Sequence, residues 1–308
     1  MNKVKGIIFA CISAITYGLS PILIAISYSM GNNFLMMVFS RNFLVLPIAF
    51  IYLLVKRISI RISRQDFISL CLVTCLGLSA SLIVLYMSYN YIPVGLATSI
   101  HFIYPSIVAV LSVLVFKEEM SKVRRLAILS SLVGVLLFID LKGGSSNLYL
   151  GLGLAFLSGL SYAYYIVFLA KSGVLRLDSM VVVFYTCLIS TIFVGLITLF
   201  TGNMAFSKIS SNGWLLIFSI SIMVTFLGTL FTQLAVKNIG TTMTSVMSTL
   251  EPIATIVAGV VVYNEKVGTT KLIACFFIVL AVFLLALDQK QMAKKRAENI
   301  EKYEDIIS

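Results

Sequence analysis

The chain has 308 residues, 60% of them hydrophobic and 11% charged, with a mean hydropathy of +1.05 and a formal net charge of +11. Soluble domains are about a quarter charged and about half apolar, so this composition excludes a soluble globular protein and points to one embedded in a bilayer. Its apolar runs are about 20 residues long and do not alternate, which favours spanning helices over a barrel.

In chain order, the pattern predicts ten spanning helices, at 6–29, 33–55, 67–89, 94–116, 123–140, 149–170, 179–200, 213–236, 241–263 and 268–287. The first follows a basic start. Its apolar body is too long for a signal peptide, so it is read as a span rather than a leader. Connections are short, which makes consecutive helices antiparallel neighbours and leaves no room for a soluble domain. The tail 289–308 is charged and is read as solvated.

Lys and Arg near span ends set the orientation. With the N-terminus inside, 18 fall on inside segments and four (Lys142, Lys208, Lys266, Lys271) on outside loops. Both termini are therefore expected in the cytoplasm of a cell with its protein in the plasma (inner) membrane. The positive charge then reflects an anionic leaflet and calls for no nucleic-acid partner. Five cysteines (Cys11, Cys71, Cys75, Cys187, Cys275) lie in apolar runs without CxxC or Cys/His clustering, so neither a metal site nor a disulfide framework nor any cofactor is expected.

The chain repeats itself. "TSIHFIYPSIVAVLSVL" (98–114) aligns without gaps to "SVMSTLEPIATIVAGVV" (245–261) under a shift of 147. Under it Pro105 falls on Pro252, Glu118 on Glu265 and Ile92 on Ile239. A shift of 145 places Gly6, Ala10, Ser13, Ala14, Tyr17 and Gly18 on Gly151, Ala155, Ser158, Gly159, Tyr162 and Ala163. Small residues every fourth position form a strip through which helices approach closely in lipid. The reading is two five-helix repeats, 1–141 and 147–288. Five is odd, so the second enters the membrane from the opposite side. Inverted repeats are the architecture of many secondary transporters. The fold class expected is thus an all-α integral membrane protein of ten helices in two inverted halves.

At these residues the chain resembles the drug/metabolite transporter superfamily, in its ten-helix EamA-type branch. The resemblance rests on "GLATSIHFIYPSIVAVLSVLVFKEE", "TTMTSVMSTLEPIATIVAGVVVYNEK", "FSRNFL" and "SAITYGLSP" and covers about residues 5–288. In that family a Pro in helices four and nine precedes a Glu at the helix end, as Pro105/Glu118 and Pro252/Glu265 do here. Tyr17-Gly18 stands where the family often has Trp-Gly. The resemblance implies a transporter of small organic solutes, often an exporter, with helix-breaking or gating roles for those four residues. It names no substrate.

Besides Tyr and Cys, three ionisable side chains fall deep inside spans: Arg41, His101 and Glu251. Charges there are costly and usually face a cavity or the bundle interior. Thr244, Ser248, Glu251 and Thr255 share one helical face. Pro252 cannot donate to the Ser248 carbonyl, which is expected to be left free for a ligand. Glu251 reads as a substrate or proton site; the bland alternative is a carboxyl tying two helices together. His101 aligns with Ser248 and Tyr104 with Glu251, so these pairs are expected to meet across the site. Histidine titrates near neutrality and suits proton coupling; a lone His is also a common packing residue. Arg41 either reaches back to the interface, pairs with Glu251, or holds a substrate carboxylate. Tyr17, Tyr162, Tyr86 and Gln233 complete the expected lining, although such residues are often packing alone.

The leading expectation is a secondary transporter of small organic metabolites, amino acids among them, working by alternating access, with protons as candidate co-substrate. The alternative is an exporter of drugs or lipophilic cations held by Glu251. A channel and an intramembrane serine hydrolase are remote: Gly-x-Ser triplets occur, but no GxSxG or HExxH does.

Overall fold

The structure is a computed structural model that describes residues 3–116, 121–137, 147–204, 206–255 and, of the remainder, 257, 268–270, 272–277, 279–281, 283, 284 and 287. Glu118 and Glu265 lie outside the described residues. Every described element is helical. α1 is Lys3–Ser29, α2 Phe34–Val55, α3 Arg64–Ser88, α4 Val94–Phe116, α5 Lys122–Leu137, α6 Leu148–Lys171, α7 Ser179–Phe200 and α8 Ser211–Ile239. α9 is described over 241–255, and α10 over Leu272–Ala281. In a bilayer each backbone N–H and C=O must find a partner within the protein, and these long apolar runs do so as helices. Side chains such as Val55, Leu114 and Phe200, 73%, 70% and 84% exposed, form the lipid-facing surface.

Helix starts are capped in matching pairs. Asn33 Oδ1 accepts from Met36 N (2.8 Å) at α2, and Asp178 Oδ1 accepts from Met180 N (2.8 Å) at α7. Ser63 Oγ accepts from Asp66 N at α3, and Ser210 Oγ from Gly213 N at α8, both at 3.1 Å. These caps are related by the shifts of 145 and 147 found in the sequence.

Departures from α-geometry also come in pairs. α3 widens into a π-turn at Val73–Ser79 and α8 at Ser221–Gly228. α4 breaks after His101, before Pro105, and α9 passes through a 3₁₀ turn at Ser248–Leu250, before Pro252. Proline lacks the N–H that would continue the ladder. α2 is kinked at Leu44, where Pro47 removes the bond to the Phe43 carbonyl.

Packing crosses between the halves. α1 runs antiparallel to α8: a Cβ at Gly6 would meet Ile239 Cγ2 at 2.6 Å, and Ser13 Oγ lies 2.7 Å from Thr232 Oγ1. α6 runs antiparallel to α3: a Cβ at Gly151 would meet Ile92 Cγ2 at 2.6 Å, and Ser81 Oγ donates to the Ser158 carbonyl (2.9 Å). The contacts of Gly6 and Gly151 are mates under the repeat. They also fix the inversion. Gly6 sits where α8 ends and α9 begins. Thr241, at the start of α9, bonds Ser112 in the last third of α4 (2.9 Å), whereas Gly151 sits beside Ile92, where α4 begins. α4 thus runs from the Gly151 side to the Gly6 side, and the fronts of α1 and α6 lie on opposite faces. The face where α1 starts is called the start side below, the other the far side.

Candidate functional site

Between the halves lies a cavity whose empty space, open mouth included, is about 680 Å³. Its walls come from the middle of α1 (Tyr17, Ser20, Pro21), from Arg41 and Asn42 of α2, from the far half of α3 (Leu78 to Tyr89), from Thr98, His101 and Phe102 at the break of α4, and from Tyr162, Thr225, Thr229 and Glu251. It therefore extends from mid-membrane toward the far side. Toward the start side, the bonds of Ser13 to Thr232 and of Ser112 to Thr241 tie the halves together.

Glu251 is 6% exposed and opens the helical stretch after the 3₁₀ turn of α9. Tyr104 donates to Glu251 Oε1 at 3.4 Å. These two residues are repeat mates, and a contact between mates places the pseudo-two-fold axis at the floor of the cavity. α1 reaches this point only because residue 18 is glycine: a Cβ there would stand 2.5 Å from the Glu251 carbonyl oxygen and 2.6 Å from Ala254 Cβ. Thr255 Oγ1 donates to the Gly18 carbonyl (2.6 Å) and closes the joint.

Arg41 is 2% exposed. Its guanidinium turns inward: Nε donates to Thr225 Oγ1 (2.6 Å), and one Nη donates to the Tyr86 hydroxyl. Neither Arg41 nor Glu251 makes an ion pair with the other or with another described residue. Tyr17 lies within electrostatic reach of both, and its hydroxyl is 3.3 Å from Thr229 Oγ1.

His101 lies 2.8 Å, through Nδ1, from Ser158 Oγ. Ser158 Oγ donates its own proton to the Ala155 carbonyl (2.6 Å), so the imidazole is the donor at Nδ1, and Nε2 is left as an acceptor. In a nucleophilic dyad the serine proton would face the imidazole; here it faces a carbonyl. The ring packs beside Tyr104 and Tyr162 at centroid distances of 5.3 and 5.5 Å, and those two tyrosines meet edge-to-face at 4.7 Å. Aromatic pairs of this kind stiffen a wall.

Of the residues expected from the sequence, Glu251, His101, Arg41, Tyr17, Tyr162 and Tyr86 line one cavity, with Tyr104 directly behind Glu251. Three more, Ser248, Thr244 and Gln233, do not line it either. Ser248 Oγ donates back to the Thr244 carbonyl, and Thr244 Oγ1 to the Gly240 carbonyl. Gln233 is fully buried near Tyr165 and does not line the cavity, and its amide has no hydrogen-bond partner among the described residues. The Ser248 carbonyl, expected free, accepts the N–H of Glu251 within the 3₁₀ turn. His101 meets Ser158 rather than Ser248. Thr225, Thr229, Asn42, Ser81 and Tyr89 line the cavity without having been singled out. A hydroxyl or amide in an apolar helix carries too little signal, although Thr225 lies within the π-turn that mirrors the one in α3.

Comparison with known proteins decides the family. The sequence matches the EamA-like transporter family twice, over residues 4–139 and 149–287. The chain belongs to this family. An uncharacterized transporter, sll1319, of Synechocystis sp. is 37% identical over 93 residues; the alignment covers 30% of this chain and only 28% of that protein. A protein of known crystal structure superposes with a TM-score of 0.77 over 93% of this chain and 99% of its own, at 14% identity, a likeness of fold alone. The chain is therefore a multi-pass membrane protein of the EamA-like transporter family.

Proposed function

We propose that this protein is a secondary transporter of small organic metabolites, amino acids among them, that works by alternating access as an exporter in the cell membrane with both termini in the cytoplasm. The observation that carries the reading is the contact between mates Tyr104 and Glu251 at the floor of a cavity set between inverted halves. A site on the pseudo-symmetry axis keeps its place when the halves exchange conformations. Glu251 is the central residue: a carboxyl at mid-membrane without a basic partner can take up a cargo's cationic group or a proton in turn. The breaks of α4 and α9 and the Pro105 and Pro252 that follow them serve as hinges. Glu118 and Glu265 take the gating role that the family resemblance gives them.

The test is transport in proteoliposomes loaded with labelled amino acids, with and without a pH gradient, for the native chain and for Glu251→Gln. The expected result is transport by the native protein, lost in a variant that stays folded and inserted. A lipophilic-cation exporter would take tetraphenylphosphonium instead; the inward guanidinium of Arg41 repels such a cargo and favours the metabolite reading.

A further inference from the structure

The far end of the cavity is built of donors. The two hydrogen bonds of Arg41 use the oxygens of Thr225 and Tyr86 as acceptors, and neither hydroxyl gives its proton to another described residue. Beside them, Tyr89 lines the cavity within electrostatic reach of Arg41 and Tyr86, its ring 5.7 Å from that of Tyr86. Tyr28 of α1 stands within electrostatic reach of both tyrosines. The hydroxyls of Tyr28 and Tyr89 are buried and have no hydrogen-bond partner. Orphaned buried hydroxyls are costly; that of Tyr89 lies within electrostatic reach of Arg41, and that of Tyr28 within reach of Tyr86 and Tyr89. The hydroxyls of Thr225, Tyr86 and Tyr89 thus stand around the Arg41 cation, with that of Tyr28 next to the two tyrosines, and no described acidic side chain pairs with the guanidinium. The opposite end, at Glu251, offers a carboxyl.

We infer that Arg41, with the hydroxyls of Tyr28, Tyr86, Tyr89 and Thr225, forms an oxyanion subsite that takes the carboxylate of the cargo and orients it with its cationic group toward Glu251. A carboxylate has about four lone-pair positions and accepts bonds from a guanidinium and from hydroxyls together. The Tyr86 and Thr225 oxygens hold the guanidinium in place, while their protons and those of Tyr28 and Tyr89 wait for an acceptor. This inference rests on the transporter reading and sharpens it: the cargo must bring an anion to one end.

The experiment is titration of the purified full-length protein with the twenty protein amino acids and, for each that binds, its decarboxylated amine, followed by thermal unfolding. The native chain should bind at least one amino acid about tenfold or more tighter than the amine lacking its carboxylate, the usual weight of a charge-assisted hydrogen bond. Arg41→Lys should lose that discrimination. The double variant Tyr28→Phe, Tyr89→Phe should be as heat-stable as the native protein or more so when empty, since it removes two unpaired buried hydroxyls, yet bind the amino acid about tenfold or more weaker. Equal binding of amine and amino acid, or full-strength binding by the double phenylalanine variant, would overturn the subsite while leaving the transporter reading intact. Binding of no amino acid would overturn it as well; transport of another solute in proteoliposomes would then still uphold the broader function.

Discussion

Set side by side, the two repeats agree in scaffold and disagree in chemistry. Asn33 and Asp178 cap equivalent helices, as do Ser63 and Ser210; Gly6 and Gly151 admit equivalent close contacts; π-turns and breaks fall at matching places. Tyr17 and Tyr162 apart, the residues at the cavity largely do not match. Tyr104 stands opposite Glu251, and Tyr86 has Gln233 as its mate. His101 is matched by Ser248, and Arg41 by Thr186. On the proposed function, symmetry is kept where two conformations would interchange and broken where one asymmetric cargo would be held. The far end of the cavity thus comes from one repeat's Arg and Tyr, and its floor from the other's Glu.

Substitutions can break this comparison in graded ways. The largest effect is expected at Gly18, where a side chain collides with backbone: Gly18→Val should destabilise by about 3 kcal/mol or more, seen as a loss of folded protein after solubilisation. Next, Glu251→Gln should cut transport about tenfold to a hundredfold with the melting temperature little changed, the range of one hydrogen bond to a charged group. The mates Gly6→Val and Gly151→Val should each cost about 1–3 kcal/mol and resemble each other in thermal unfolding, because both meet side-chain atoms of mated residues, Ile239 with Asn238 and Ile92 with Tyr91, and not backbone. A large disparity between them would show that the symmetric contacts are unequal in energy. Smallest is Arg176→Ala. Arg176 bonds Asp66 at 2.7 Å, but its side chain is 60% exposed, so the loss should stay within about 1 kcal/mol and shrink further in high salt. At the equivalent place on the far side the contact is a backbone bond, Ser210 N to Met30 O (3.2 Å), and no side-chain change removes it.

Much of this was legible before any coordinates. The spanning helices and the inverted repeat follow from apolar run length and from small residues and prolines recurring at a fixed shift. These properties are local, or repeat locally. The caps recur at the same shifts, and the sequence carried that signal too, since Asn, Asp and Ser before apolar runs are start marks. The cavity was legible where charge made burial conspicuous, at Arg41, His101 and Glu251, and at Tyr17, Tyr162 and Tyr86, which the repeat singled out. Thr225 and Tyr89 were not, because a threonine or tyrosine in an apolar helix is equally at home in packing. Gln233 was expected to mirror Tyr86. The shift gives equivalent backbone positions, but neighbouring side chains decide what each position faces, and the Gln233 amide is buried away from the cavity.

Alternating exposure of the central cavity is tested most directly by labelling it from each side of the membrane. In a variant with all five native cysteines replaced and Thr98→Cys placed in the cavity wall, a membrane-impermeant thiol reagent should modify the new cysteine whether added outside cells or to inside-out vesicles. Modification from one side only, under conditions in which the protein transports, would contradict it.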